Sequence, residues 1–181
     1  DPGESLTYSF YDSDVGLSSS ESGWIPYELG DEESNMRVAY ETWDLYLPFY
    51  LDEVDESGST VGELRAMYND ITADNAASGS AAQGAYPNNS ASGGNAYYHV
   101  DGEGNDGSSL GDGTASSLAS NLSFAVGTYG FYTALHEIGH TLGLKHPFGT
   151  GTVLPSADED VRNSVMAYSS VDDLAVSYNG T

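Results

Sequence analysis

Residues 136 to 146 read His-Glu-Ile-Gly-His-Thr-Leu-Gly-Leu-Lys-His and hold three of the four histidines in the chain. Side chains four apart on a helix lie one above the other, so a helix through this stretch aims His136 and His140 at one point in space. Gly143 can end that helix in the left-handed conformation, and the chain can then turn back to bring His146 to the same point. Three neutral imidazoles make the donor set of a catalytic zinc, with a fourth position open to water. Glu137, directly after the first ligand, faces that water with the chemistry of a general base and acid. Chance would produce these five fixed positions in eleven in on the order of one window in three million. Whatever the fold, it has to supply a helix, a tight reversal and a returning loop at one place.

Composition bounds the rest. A length of 181 residues suits one domain with a single core. Against 28 Asp and Glu stand only 4 Lys and Arg, a formal net charge of −24 that repels nucleic acid and anionic membranes. A salt-rich working environment, the solubility of an exported protein, and attraction of basic substrates are three readings of that acidity. There is no cysteine, so neither a disulfide framework nor a thiolate ligand is available. No apolar run approaches the roughly 20 residues that cross a bilayer. The sequence opens at Asp1-Pro2-Gly3 without a basic then apolar leader pattern, so an export signal or pro-segment would lie outside it.

In chain order, Ser5 to Tyr11 alternates as a strand, Asp12 to Gly23 is a loop, and Ser34 caps a helix over Asn35 to Tyr46. Pro48 ends that helix; Phe49 to Val54 is a short strand, and Asp52 to Glu56 a solvated turn rather than a metal site. Val61 to Ile71 fits a strand or a short helix, with alternation the better match. Ala81 to Tyr86 reads as an edge strand closed by Pro87-Asn88-Asn89, and Asn95 to Asp101 as another strand, with His99 an ordinary strand residue. Asp101 to Gly113 is either a calcium loop or a flexible acidic loop. It is not an EF-hand, since Asp106 stands where that loop requires glycine. A second helix begins near Tyr129 and stops at Gly143; Pro147 to Asp160 is a loop, and Val171 to Thr181 shows no pattern.

His-Glu-x-x-His-x-x-Gly-x-x-His with a later methionine turn resembles the metzincin zinc peptidases, and here the methionine is Met166. Pro147 after the third histidine, and Ser164-Val165-Met166-Ala167-Tyr168, are similar to the serralysins in particular. Leu6 to Phe10, Gly84 to Pro87 and Asn95 to Tyr98 resemble that family's first, fourth and fifth strands. The resemblance implies an α+β fold: a twisted, mixed five-stranded sheet with two long helices in an upper lobe, about residues 1–143, and a small irregular lower lobe, about 144–181. Together they form a single catalytic domain over residues 1–181. It implies zinc on His136, His140 and His146, with Tyr168 as a further ligand that swings away to assist the transition state. It also implies an antiparallel edge strand, at Ala82, Gly84, Ala85 and Tyr86, on which substrate backbone adds. The calcium-binding repeat domain usual after such a catalytic domain is not in this sequence. The expected activity is that of a secreted, extracellular, monomeric endopeptidase acting on proteins or peptides through a zinc-bound water activated by Glu137. The alternative is a catalytically silent, zinc-stabilised module that binds proteins through its edge strand.

Overall fold

A computed structural model of the chain describes residues 3–12, 26–27, 29–70, 81–100 and 123–168, with only the backbone described at 26, 27, 69, 70, 99 and 100. The expected loops at Asp12 to Gly23 and Asp101 to Gly113, and the segment from Val171, fall outside these residues, apart from Asp12.

The alternation in the N-terminal stretch makes β1, Ser5–Phe10, whose Tyr8 and Phe10 are buried on one face. The other strands are β2, Pro26–Tyr27, β3, Tyr50–Glu53, β4, Leu64–Asp70, β5, Ala82–Gly84, and β6, Asn95–Val100. Five of them follow one path in the order β3-β1-β4-β6-β5, mixed in direction as expected. The pairs β1·β3, β1·β4 and β4·β6 are parallel, and β5 closes one edge antiparallel to β6. The ambiguous stretch from Val61 is thus a strand, and His99 lies on β6 opposite Asn69. The short β2, which no alternation announces, pairs with β4 at Tyr68 and Asn69, past the point where β1 ends its own pairing at Ala66.

Two helices cover one face of this sheet. Helix α1, Glu33–Asp44, buries Met36, Ala39 and Tyr40, spaced three and four apart. The Tyr40 ring stacks on Tyr8 at 4.0 Å and 12°. Ser34 does not cap this helix: it sits inside the first turn and donates to the Asp31 carbonyl. A 3-10 turn at Gly30–Glu32 already carries the chain into helical geometry, so the start needs no side-chain cap. Helix α2, Tyr129–Thr141, is capped by Thr128, whose hydroxyl accepts the Phe131 N–H at 3.1 Å. Trp43 ties the helices together by donating its indole N–H to the Leu135 carbonyl at 3.0 Å. Neither helix is long and apolar enough to cross a membrane. From Leu142 to Tyr168 the chain is irregular, without helix or strand.

The Asp52 to Glu56 stretch is solvated at Asp52, Glu53 and Asp55, as expected, but it is not a turn and its Glu56 is buried. Asp52 and Glu53 belong to β3, and Glu53 receives two guanidinium N–H groups of Arg37. Glu56 is buried and ion-paired with Arg65 of β4, through contacts of 2.5 Å to each carboxylate oxygen. The Ser9 hydroxyl and the Asp12 backbone N–H complete its partners, and the guanidinium lies 4.9 Å over the Tyr11 ring. A local charge run reads as solvated because the compensating cation lies nine residues away on another strand.

Candidate metal centre

The site is assembled by the end of α2. Leu142 closes the helix, Gly143 takes φ +93°, its N–H donates to the His140 carbonyl, and the Leu144 N–H reaches back to Gly139. These are the two hydrogen bonds of a Schellman motif, in which a glycine at the left-handed position reverses the chain at little steric cost. The reversal has two effects. It sends His146 back toward the helix, and it places the Leu144 carbonyl 2.8 Å from His140 Nδ1.

The three imidazoles converge as the spacing predicts. His136 Nε2 and His140 Nε2 lie 3.1 and 3.0 Å from His146 Nε2, and the three ligand nitrogens fall within 4.8 Å of one another. A carbonyl can only accept, so His136 Nδ1, 2.8 Å from the Val165 carbonyl, and His140 Nδ1 must both carry the proton. Their Nε2 atoms are therefore bare lone pairs, and His146 Nε2 could donate to no more than one of them. Burial and the neighbouring rings push His136 down to about 4, and burial lowers His140 and His146 as well, so all three are neutral in the ordinary range. Such a cluster is unfavourable without a cation, and bare imidazole nitrogens fit zinc.

Glu137 follows His136 on α2. It is buried, and its carboxylate accepts the Gly84 backbone N–H from β5. Burial pushes this carboxyl up to about 7, against that one opposing hydrogen bond. Close packing of helix and edge strand explains the glycine: a methyl at Gly84 would collide with the Glu137 carbonyl and sit 2.7 Å from His140 Cβ. Gly139 is constrained in the same way from below, since a methyl there would lie 2.5 Å from Met166 Sδ and 3.2 Å from Trp43. Met166 is buried against Gly139, its N–H held by Ser164 Oγ, and the Tyr132 hydroxyl donates to the next carbonyl, that of Ala167.

Tyr168 lies against the cluster, its ring 5.3 Å from His136 and 4.6 Å from His146, and it is 60% exposed. Burial, then Glu137, pushes its phenol above the usual range, which keeps it a proton-bearing donor. Of the four residues expected on the substrate edge, Tyr86 packs edge-on against His140 at 5.3 Å. Ala85 directs its N–H and carbonyl inward to Asn95 and Gly94, so by alternation Gly84 and Tyr86 face outward. Two of the outward groups are occupied: the Gly84 N–H by Glu137, and the Tyr86 carbonyl by the Asn88 amide. Ala82 is buried at the start of the strand.

Sequence reasoning missed four contributions. The Leu144 and Val165 carbonyls carry no side-chain signature, and Gly84 was singled out for an edge strand rather than for its bond to Glu137. Phe148, stacked on His146 at 4.7 Å and 13°, stands two residues past the last histidine and offered no motif.

No curated protein matches the chain in sequence. The solved structure of myroilysin aligns with 81% of this chain at 15% identity and a TM-score of 0.40; the chain spans about half of that protein, 51% of its length. Residues 39–147 match the model of the M12B reprolysin-like metallo-peptidases. That span is more than half of the chain and runs from α1 through Gly84, Glu137 and all three histidines, so the chain belongs to the reprolysin-like M12B metallopeptidase family.

Proposed function

We propose that this protein is a zinc-dependent endopeptidase in which His136, His140 and His146 hold the metal and Glu137 moves the proton. The observation that carries the reading is the convergence of bare Nε2 lone pairs on the helix that also carries a buried carboxylate with one backbone partner. Bound zinc would supply a strongly acidified water and polarise the scissile carbonyl. Glu137 accepts the proton given up as the carbonyl is attacked and passes it to the departing amine nitrogen, so its carboxylate is regenerated each cycle. Gly84 holds that carboxylate in place through its N–H. Tyr168, packed on two of the histidines, donates its phenol to the oxygen on which negative charge develops. Substrate backbone lies along the outer edge of β5, beside Tyr86.

Pro147 and the Met166 to Tyr168 segment, the latter beyond the matched span, are the features that resemble the serralysins among metzincins. They support a serralysin-like enzyme, and with it an exported, extracellular enzyme that works as a monomer. Replacing Glu137 by Ala or Gln should leave zinc content unchanged while casein or peptide hydrolysis drops by about 10²–10⁴. Chelation should abolish the same hydrolysis. Undiminished hydrolysis in the variant sinks the assignment of Glu137, and a wild-type protein that binds zinc yet cleaves nothing points to a silent binding module instead.

A further inference from the structure

We infer that Phe148 is a positioning residue for the third zinc ligand, holding His146 by ring stacking where the other two histidines are held by hydrogen bonds; this rests on the reading that the three histidines bind zinc. His136 and His140 stand on a helix, and each has its Nδ1 fixed by a carbonyl, Val165 and Leu144. His146 has neither support. It lies in irregular chain past Gly143, and among the described residues its Nδ1 has no hydrogen-bond partner. A ligand's ring usually needs a partner on its far side to fix tautomer and orientation.

What His146 has instead is a parallel ring. Phe148 stacks on it at 4.7 Å and 13°, and the Tyr168 ring closes the group, 4.6 Å from His146 and 5.1 Å from Phe148. The backbone presets this stack. Pro147, buried between the two residues, fixes its own φ and restricts His146 to extended conformations, and its carbonyl accepts the Leu154 N–H at 2.8 Å. Phe148 is thus carried on an anchored residue rather than a free loop. A face-to-face ring restrains tilt and rotation of the imidazole while leaving its Nδ1 open to water.

The test is zinc affinity of the full chain, measured by competition with a chromophoric chelator, for wild type, F148A, F148L, F148W and H146A, with melting of each metal-free form as a folding check. F148A and F148L should bind zinc roughly 10–100-fold more weakly than wild type. F148W, which restores a stacking face, should recover most of that loss. Wild-type affinity in both F148A and F148L overturns the inference, and so does an F148L that matches wild type while F148A does not, since bulk rather than a ring would then suffice. A wild type without zinc affinity, or an H146A that binds as tightly as wild type, would instead remove the three-histidine reading itself.

Discussion

Two glutamates are buried among the described residues, and they have opposite surroundings. Glu56 is enclosed by the Arg65 fork, the Ser9 hydroxyl and the Asp12 N–H, so each of its oxygens is matched by donors and a full positive charge. Glu137 is comparably buried but has one backbone N–H, from Gly84, and no Lys or Arg partner among the described residues, and burial holds it up at about 7. A carboxylate with every lone pair occupied is inert and serves packing. One left short of partners is costly to keep charged, and therefore ready to take a proton. The difference lies wholly in which donors the fold brings to each side chain.

Exchanging each glutamate for glutamine separates the two roles most sharply. E137Q should lower hydrolysis by the 10²–10⁴ expected for loss of a general base, with no fall in the urea midpoint. E56Q should do the reverse, leaving zinc content intact but stranding Arg65 without its counter-charge, at a cost of about 3–5 kcal/mol in denaturant unfolding. If E56Q unfolds at the wild-type midpoint, the buried pair does not contribute as its geometry says.

A smaller effect is expected at the strand that serves Glu137. G84A adds a methyl where the Glu137 carbonyl and His140 Cβ already sit, so overpacking should cost about 1–3 kcal/mol and depress hydrolysis together with stability. An alanine variant with wild-type melting and turnover would show that β5 can move away from α2 without consequence.

The smallest effect belongs to the exposed counterpart of the buried pair, Arg37 with Glu53. The guanidinium bonds hold the Glu53 carboxyl below its ordinary 4.5, partly opposed by desolvation and helped by the Tyr8 hydroxyl. A folded value below the unfolded one means the stabilisation is present above pH 4.5 and is lost as pH falls through the folded value. E53Q should therefore melt slightly below wild type at neutral pH, by less than about 1 kcal/mol, and the two curves should meet on acidification. A gap that widens in acid contradicts this sign.

The helical spacing of His136 and His140, the reversal at Gly143 and the strand alternation of Leu6 to Phe10 were legible because each is a local rule of period or conformation. Ser34 and Glu56 misled for the same reason. Local preference suggested a cap and a solvated turn, while a preceding 3-10 turn and a distant arginine decided otherwise.

The sequence by itself determined the three-histidine cluster, the carboxylate next to it in the chain and the periodicity of the elements that carry them, since all of these depend on residue type and spacing. Only the tertiary structure decided which groups orient the ligands and which glutamate is left under-partnered. The Val165 and Leu144 carbonyls, the Gly84 N–H and the Phe148 ring act through position alone. Backbone amides are identical at every residue, so their roles arise only where the packed chain brings a particular one within hydrogen-bond reach.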